Sequence, residues 1–205
     1  MLILTDVDGV LLNWIDSFHN WMRSQDFTLK HNDCYDLATC YDLSPELINN
    51  VLIEQFNASA EMGFLHPLGD AVAQVKKLHD DYGVVFHAIT SMGSNESARR
   101  LRKMNLRRIF GANVFQSISI LGCGEDKTDA LSQFANSGLF WLEDHIDNAV
   151  VGHELGLKSI LFNRSYNADR LPTEDFLRVN TWKDFVKIVD FKQKTNSYHE
   201  SRKTK

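Results

Sequence analysis

Five apolar runs of strand length punctuate the chain: Leu2–Thr5, Val84–Thr90, Val114–Leu121, Leu139–Leu142 and Lys158–Phe162. Two of them contain "VVFHAIT" and "SISIL", which are nearly continuous rather than alternating, as in parallel strands covered on both faces. Between the runs the period changes. Val72, Val75, Leu78 and His79 share one face of a helix predicted over Ala71–His79. "ESARRLRKM" follows Ser94 or Asn95 as a cap, and "KTDALSQFA" opens at Glu125 or Asp126 and stops at Gly138. This alternation predicts an α/β protein with a doubly wound, Rossmann-like parallel sheet.

One interval breaks the rhythm. The first run ends near Asp6 and the second begins only near Val84, which leaves room for an insertion. Residues 14–65 read as a small helical cap, with the patterns "WIDSFHNWMRS" and "SPELINNVLIEQF" on either side of a polar loop at 31–43. Ser44, Pro45 and Glu46 read as cap and first turn. His66-Pro67-Leu68-Gly69 is the expected hinge back to a core formed by 1–13 and 66–191. Residues 192–205 hold five Lys/Arg against one Glu, so a frayed, solvated basic tail is expected.

Composition narrows the partners. At 205 residues, 43% hydrophobic and 24% charged, the chain can bury a real core. A net charge of −5 and a pI near 5.9 argue against wholesale nucleic-acid or anionic-membrane binding, though not against a small anionic substrate. No apolar run approaches the roughly 18 residues of a membrane span, and Met1–Leu4 is too short for a signal segment. The reading is a cytoplasmic protein. Cys34, Cys40 and Cys123 are odd in number without CxxC spacing, so reduced thiols are expected rather than a disulfide framework or a zinc site.

The candidate chemistry sits where the predicted strands end, the rim at which open α/β sheets bind ligands. Asp6 and Asp8 point the same way from an extended chain and repel unless a positive charge joins them. Thr90 and Ser91 end the second run, Lys127 opens a helix after the third, and Glu143 and Asp144 end the fourth, with Asp147 and Asn148 behind. Carboxylates from two strands suit a hard cation such as Mg²⁺, and a hydroxyl with a lysine completes a phosphate cradle. A calcium loop starting at Asp6 would need glycine at 11 and glutamate at 17, where the chain has Leu11 and Ser17. Taken singly, Thr90 reads as a strand-end cap, Lys127 as a solvated helix residue, Glu143 and Asp144 as a polar loop, and Asp147 as the cap of a helix beginning near Asn148. Their order along the chain favours a joint site.

With "DVDGV", "AITS", Lys127 and "WLEDHID" in this order over roughly residues 1–165, the chain resembles the haloacid dehalogenase (HAD) superfamily of aspartyl-phosphate-forming phosphotransferases. Within it, "DVDGVLLNW", the size of the cap, "HPLGDA" and the paired acids most resemble the 5'(3')-deoxyribonucleotidases, whose paired acids are usually two aspartates rather than Glu143 and Asp144. The resemblance implies a Mg²⁺-dependent phosphomonoesterase acting on (deoxy)nucleoside monophosphates. Asp6 would be the nucleophile, Asp8 the acid and base, and Thr90 and Lys127 would hold the phosphoryl oxygens. The metal would be held by Asp6, the Asp8 carbonyl and Asp144, with Glu143 or Asp147 orienting its waters.

Substrate selection would fall to the cap. Trp14, six residues after Asp8, is the candidate for stacking on a base, while Phe18 and Trp21 read as helix core. Ser91 and Arg164 are further substrate contacts, although a surface role suits Arg164 as well; Met92, Asn95 and Tyr166 are lesser candidates, and His145 is unassigned. The expected partner is a small phosphorylated substrate, a nucleotide first, with no membrane and no stable nucleic-acid partner; a homodimer is left open. The alternatives are a phosphatase for another small ester or a polynucleotide 3'-phosphate end, and a HAD-fold binding module without turnover.

Overall fold

The apolar runs pair side by side in a six-stranded, all-parallel sheet. A computed structural model describes residues 1–31, 36–168 and 177–190. The strands are β1 (Leu2–Thr5), β2 (Val85–Ser91), β3 (Phe115–Leu121), β4 (Phe140–Glu143), β5 (Lys158–Phe162) and β6 (Leu177–Val179). They lie in the order β3-β2-β1-β4-β5-β6. Connections from β1 lead one way and those from β4 the other, so the strand order reverses between these neighbours and opens a crevice beyond their carboxyl ends. Register fixes the crevice: Thr5 lies opposite both Ala88 and Leu142, and Asp6 is the next residue out.

Helices cover both faces. Ile3, Phe86, Phe140, Leu142, Ile160 and Phe162 belong to one buried cluster. On that side lie α5 (Ala71–Tyr82), α6 (Glu96–Phe110) and the helix at 182–190, which contribute Val75, Leu106 and Phe185. Leu4, Ile89 and Trp141, one residue out of phase along their strands, pack with Leu131 of α7 (Thr128–Ser132), and Leu161 packs with Ile146 and Ala149 of α8 (Ile146–Glu154). This period of two across a doubly covered sheet explains the near-continuous apolar runs.

Between β1 and α5 the chain is helical: α1 (Trp14–Ser24), α2 (Leu37–Tyr41), then α3 (Pro45–Leu47) and α4 (Ile53–Asn57) joined by a π-helical stretch, Ile48–Leu52. Ser44 accepts from Leu47 N–H and Pro45 occupies the first turn, as the sequence suggested. Phe18 is fully buried and Trp21 packs beside it. The return segment is carried by α6, where Asn105 Nδ2 donates to Leu65 O at 2.9 Å and Arg108 Nη2 to Gly63 O at 3.2 Å.

Some expectations change. Helix α6 runs six residues past "ESARRLRKM" to Phe110, because Leu106 and Phe110 extend its buried face. Helix α7 ends at Ser132, earlier than the pattern through Ala135 suggested. Cys40 is disulfide-bonded whereas Cys123 is a free, exposed thiol, so three reduced thiols is not the arrangement found; pairing depends on backbone approach, which the spacing of three cysteines does not reveal. Cys34 and the 192–205 tail lie outside the described residues. Among the described residues no helix is long and apolar enough to cross a membrane.

Candidate active site at the β1/β4 crevice

Asp6 leaves β1 with its N–H donating to Leu142 O at 2.8 Å, which ties the end of β1 to β4. The chain then folds into a tight loop closed by Gly9 N–H to Leu12 O and Leu11 N–H to Val7 O. Gly9 has φ +73°, and a Cβ there would overlap the Asp144 carboxylate and the Tyr166 hydroxyl. Only glycine admits this approach of the two loops.

Asp6, Glu143 and Asp144 are buried, each with a carboxylate oxygen within 4.8 Å of the others. Lys127, also buried, is the cation among them. Its Nζ lies 2.9 Å from Asp6 Oδ1 and donates to Glu143 Oε1 at 3.1 Å. The contact with Asp6 Oδ1 is an ion pair between two buried groups. Burial pulls the ammonium down, but the Asp6 and Glu143 charges outweigh it and hold Lys127 protonated well above the usual lysine range. Glu143 is well anchored: Lys127 and Asn148 Nδ2 share its Oε1, and the Asp144 N–H reaches its Oε2 at 3.2 Å. Burial, then the Asp6 charge, raises the Glu143 carboxyl well above the usual range and pushes Asp144 up to about 7.

Asp144 is held from the loop after β5. The Tyr166 hydroxyl donates to its Oδ2, and Asn167 Nδ2 donates to its carbonyl at 2.7 Å and to Phe162 O at 2.8 Å. Arg164, in the same loop, is half-buried rather than on the surface: Nε donates to Gly9 O at 2.6 Å and Nη1 to Asn163 O at 2.8 Å. Its guanidinium thereby braces the loop that carries Asp6 and Asp8.

Asp6 and Asp8 line two cavities. One, of about 470 Å³, is also bounded by Thr90, Ser91, Lys127 and Glu143. The other, of about 280 Å³, is bounded by Asn13, Trp14, Leu37, Asp144 and Tyr166. Thr90 is buried, and Ser91 Oγ donates to Glu125 O at 3.1 Å. Trp14 reaches the second cavity, but it also stacks on Phe18 with centroids 4.9 Å apart and donates through Nε1 to Asn57 Oδ1 at 2.9 Å. Asp147 sits on the exposed first turn of α8, which begins at Ile146 after His145; it therefore does not cap a helix beginning near Asn148.

Two groups escaped the sequence reading. Arg102, fully buried on α6, forms an ion pair through Nη1 with Asp8 Oδ1. Burial raises the Asp8 carboxyl above the ordinary aspartate value while this cation pulls it back. Asn167 was the other. The arginine had a signal: Ala98, Arg102, Asn105 and Leu106 share one helical face, and all four are buried.

Solved structures share this architecture. The chain superposes on a haloacid dehalogenase-like family hydrolase from Streptococcus pneumoniae with a TM-score of 0.63 at 12% identity, covering 92% of this chain and 97% of that one. A predicted phosphatase from Clostridium acetobutylicum gives 0.60 at 15% identity over 92% and 98% of the two chains. CbbY from Rhodobacter sphaeroides, solved in complex with phosphate, gives 0.57 at 18% over 88% and 94%. The chain therefore has the haloacid dehalogenase-like fold. No family model matches the sequence. An uncharacterized 32.4 kDa protein in the Gp30-rIII intergenic region of Enterobacteria phage T4 is 30% identical over 136 residues, 62% of this chain and 46% of that protein; the chain thus spans about half the length of this relative.

Proposed function

We propose that this chain is a Mg²⁺-dependent phosphomonoesterase that works through an aspartyl-phosphate on Asp6 and takes (deoxy)nucleoside monophosphates. The observation that carries the reading is the meeting of Asp6 and Asp8 with Lys127 and Asp144 at the sheet's switch point. The donor set fits a hard divalent cation: three buried carboxylates share one lysine, so the cluster carries more negative charge than Lys127 offsets. Asp6, Asp144 and the Asp8 carbonyl would hold it, and when bound it supplies positive charge that quenches repulsion between an anionic nucleophile and an anionic ester.

The chain's own groups then divide the work. An Asp6 carboxylate oxygen attacks phosphorus, the bond to the ester oxygen breaks, and that oxygen takes a proton from Asp8. In the second half Asp8 takes a proton from water as the water attacks phosphorus, the bond to Asp6 breaks, and inorganic phosphate leaves. Lys127 neutralises phosphoryl oxygens from the Thr90 side, where the larger cavity lies. Glu143 fixes Lys127 through Oε1, and its Oε2, which accepts only the Asp144 N–H, keeps a lone pair with which it could orient a metal-bound water. Trp14, bordering the smaller cavity, offers an aromatic ring to the base of a nucleoside leaving group.

A panel of phosphate esters with Mg²⁺ tests both levels of the reading. Nucleoside monophosphates are expected to exceed sugar phosphates in kcat/KM, and Asp6→Asn is expected to abolish turnover. Equal or better turnover of sugar phosphates removes the nucleotide assignment. Turnover by Asp6→Asn removes the covalent one.

A further inference from the structure

Arg102 is the one buried arginine among the described residues, and its guanidinium is poorly provided for. Nη1 meets Asp8 Oδ1, Nη2 lies 3.0 Å from Met62 Sδ, a weak acceptor, and Nε has no hydrogen-bond partner. Burying a charge with so few acceptors is costly, and an apolar side chain of similar size would usually serve a core as well or better. The cost is concentrated on one contact. Asp8 is itself partly open, with 22% of its side chain exposed, and it lines both cavities. Arg102 borders neither cavity, so it grips Asp8 from behind.

We propose that Arg102 is a positioning residue: by holding Asp8 Oδ1 it turns Oδ2 toward the leaving-group oxygen and, later, toward the attacking water. This inference rests on the reading of Asp8 as the proton donor and acceptor of an Asp6-linked reaction. It predicts that Arg102 matters where a proton must be delivered. An alkyl phosphate needs its departing oxygen protonated, whereas p-nitrophenolate leaves without a proton. Both need Asp8 when water attacks the phosphoryl-Asp6.

The test is rapid-quench and steady-state kinetics of Arg102→Met on an alkyl and an aryl ester, with thermal unfolding alongside. Arg102→Met is expected to keep its fold and to form the phosphoenzyme from p-nitrophenyl phosphate at near the unaltered rate, giving a burst followed by slow turnover. With the alkyl ester, phosphoenzyme formation itself is expected to fall by about 10²-fold, in the range of lost proton transfer. In an Asp8→Asn background the same substitution is expected to add no further loss. Equal losses of phosphoenzyme formation on both esters, or full additivity with Asp8→Asn, overturn the proposal. Should Arg102→Met not fold, Arg102→Lys, which keeps the cation but moves it, carries the same comparison of esters with the same outcomes. Absence of any phosphoenzyme in the unaltered protein would instead count against the function on which the inference rests.

Discussion

Lys127→Met removes the cation from the acid cluster while keeping most of its bulk. At the observed 2.9 and 3.1 Å from Asp6 and Glu143, and with an effective dielectric constant near 20, each attraction is about 5 to 6 kcal/mol. The lysine's own desolvation offsets much of the attraction, so the net loss on breaking such a buried set is about 3–5 kcal/mol. Urea unfolding without divalent metal reads it directly.

The pH dependence has a definite sign. Glu143 and Asp144 have raised pKa values in the fold, so the native state binds more protons than the unfolded one. Stability rises as pH falls through those values toward the unfolded range. Without Lys127 the carboxylates are stabilised still less, so the deficit near pH 7 should shrink at about pH 5. A loss below about 1 kcal/mol near neutrality, or one equally large in acid, would refute the view that Lys127 holds ionised carboxylates together.

Three smaller perturbations probe neighbouring contacts. Gly9→Ala, at φ +73°, should cost at least the ~1–2 kcal/mol of a left-handed residue and more from overlap with Asp144, read by thermal unfolding; an unchanged midpoint contradicts the packing described. Tyr166→Phe removes a donor to the Asp144 carboxylate and should lower metal-free stability by about 1.5–3 kcal/mol, whereas no change in urea unfolding would show that the hydroxyl is dispensable. His87, half-buried beside Ser119 Oγ, has its pKa lowered from 6.5 by burial. Its contribution to stability is therefore complete above 6.5 and lost as pH falls through the folded value; NMR titration should place it below 6.5, and His87→Gln should flatten the acid limb of the stability curve.

The sheet was legible because parallel strands under two helical layers leave long apolar runs, and five runs became β1 to β5 with shifts of a residue or so. Strand β6 was missed: three residues, Leu177–Val179, at the sheet edge carry too little pattern. The acids and Lys127 could be foreseen as a set because strand ends converge at a known rim. What the linear pattern conceals is where a polar side chain finds its partner. Arg102 hides in a helix that also carries Arg99, Arg100, Lys103, Arg107 and Arg108, and composition there suggests solvent. Arg164 and Tyr166 occupy a loop and a short 3₁₀ turn, whose inward aim is set by tertiary contacts with Gly9 and Asp144 rather than by periodicity.

Whether Asp6 carries the phosphoryl group can be read chemically: incubate the protein with Mg²⁺ and a turned-over ester, quench in acid, and map the phosphoryl group by peptide mass spectrometry. One hydroxylamine-labile phosphoryl group is expected on Asp6, lost in Asp6→Asn and accumulating when Asp8 is replaced by Asn. Label on another residue, or turnover that persists with Asp6 replaced, would contradict it.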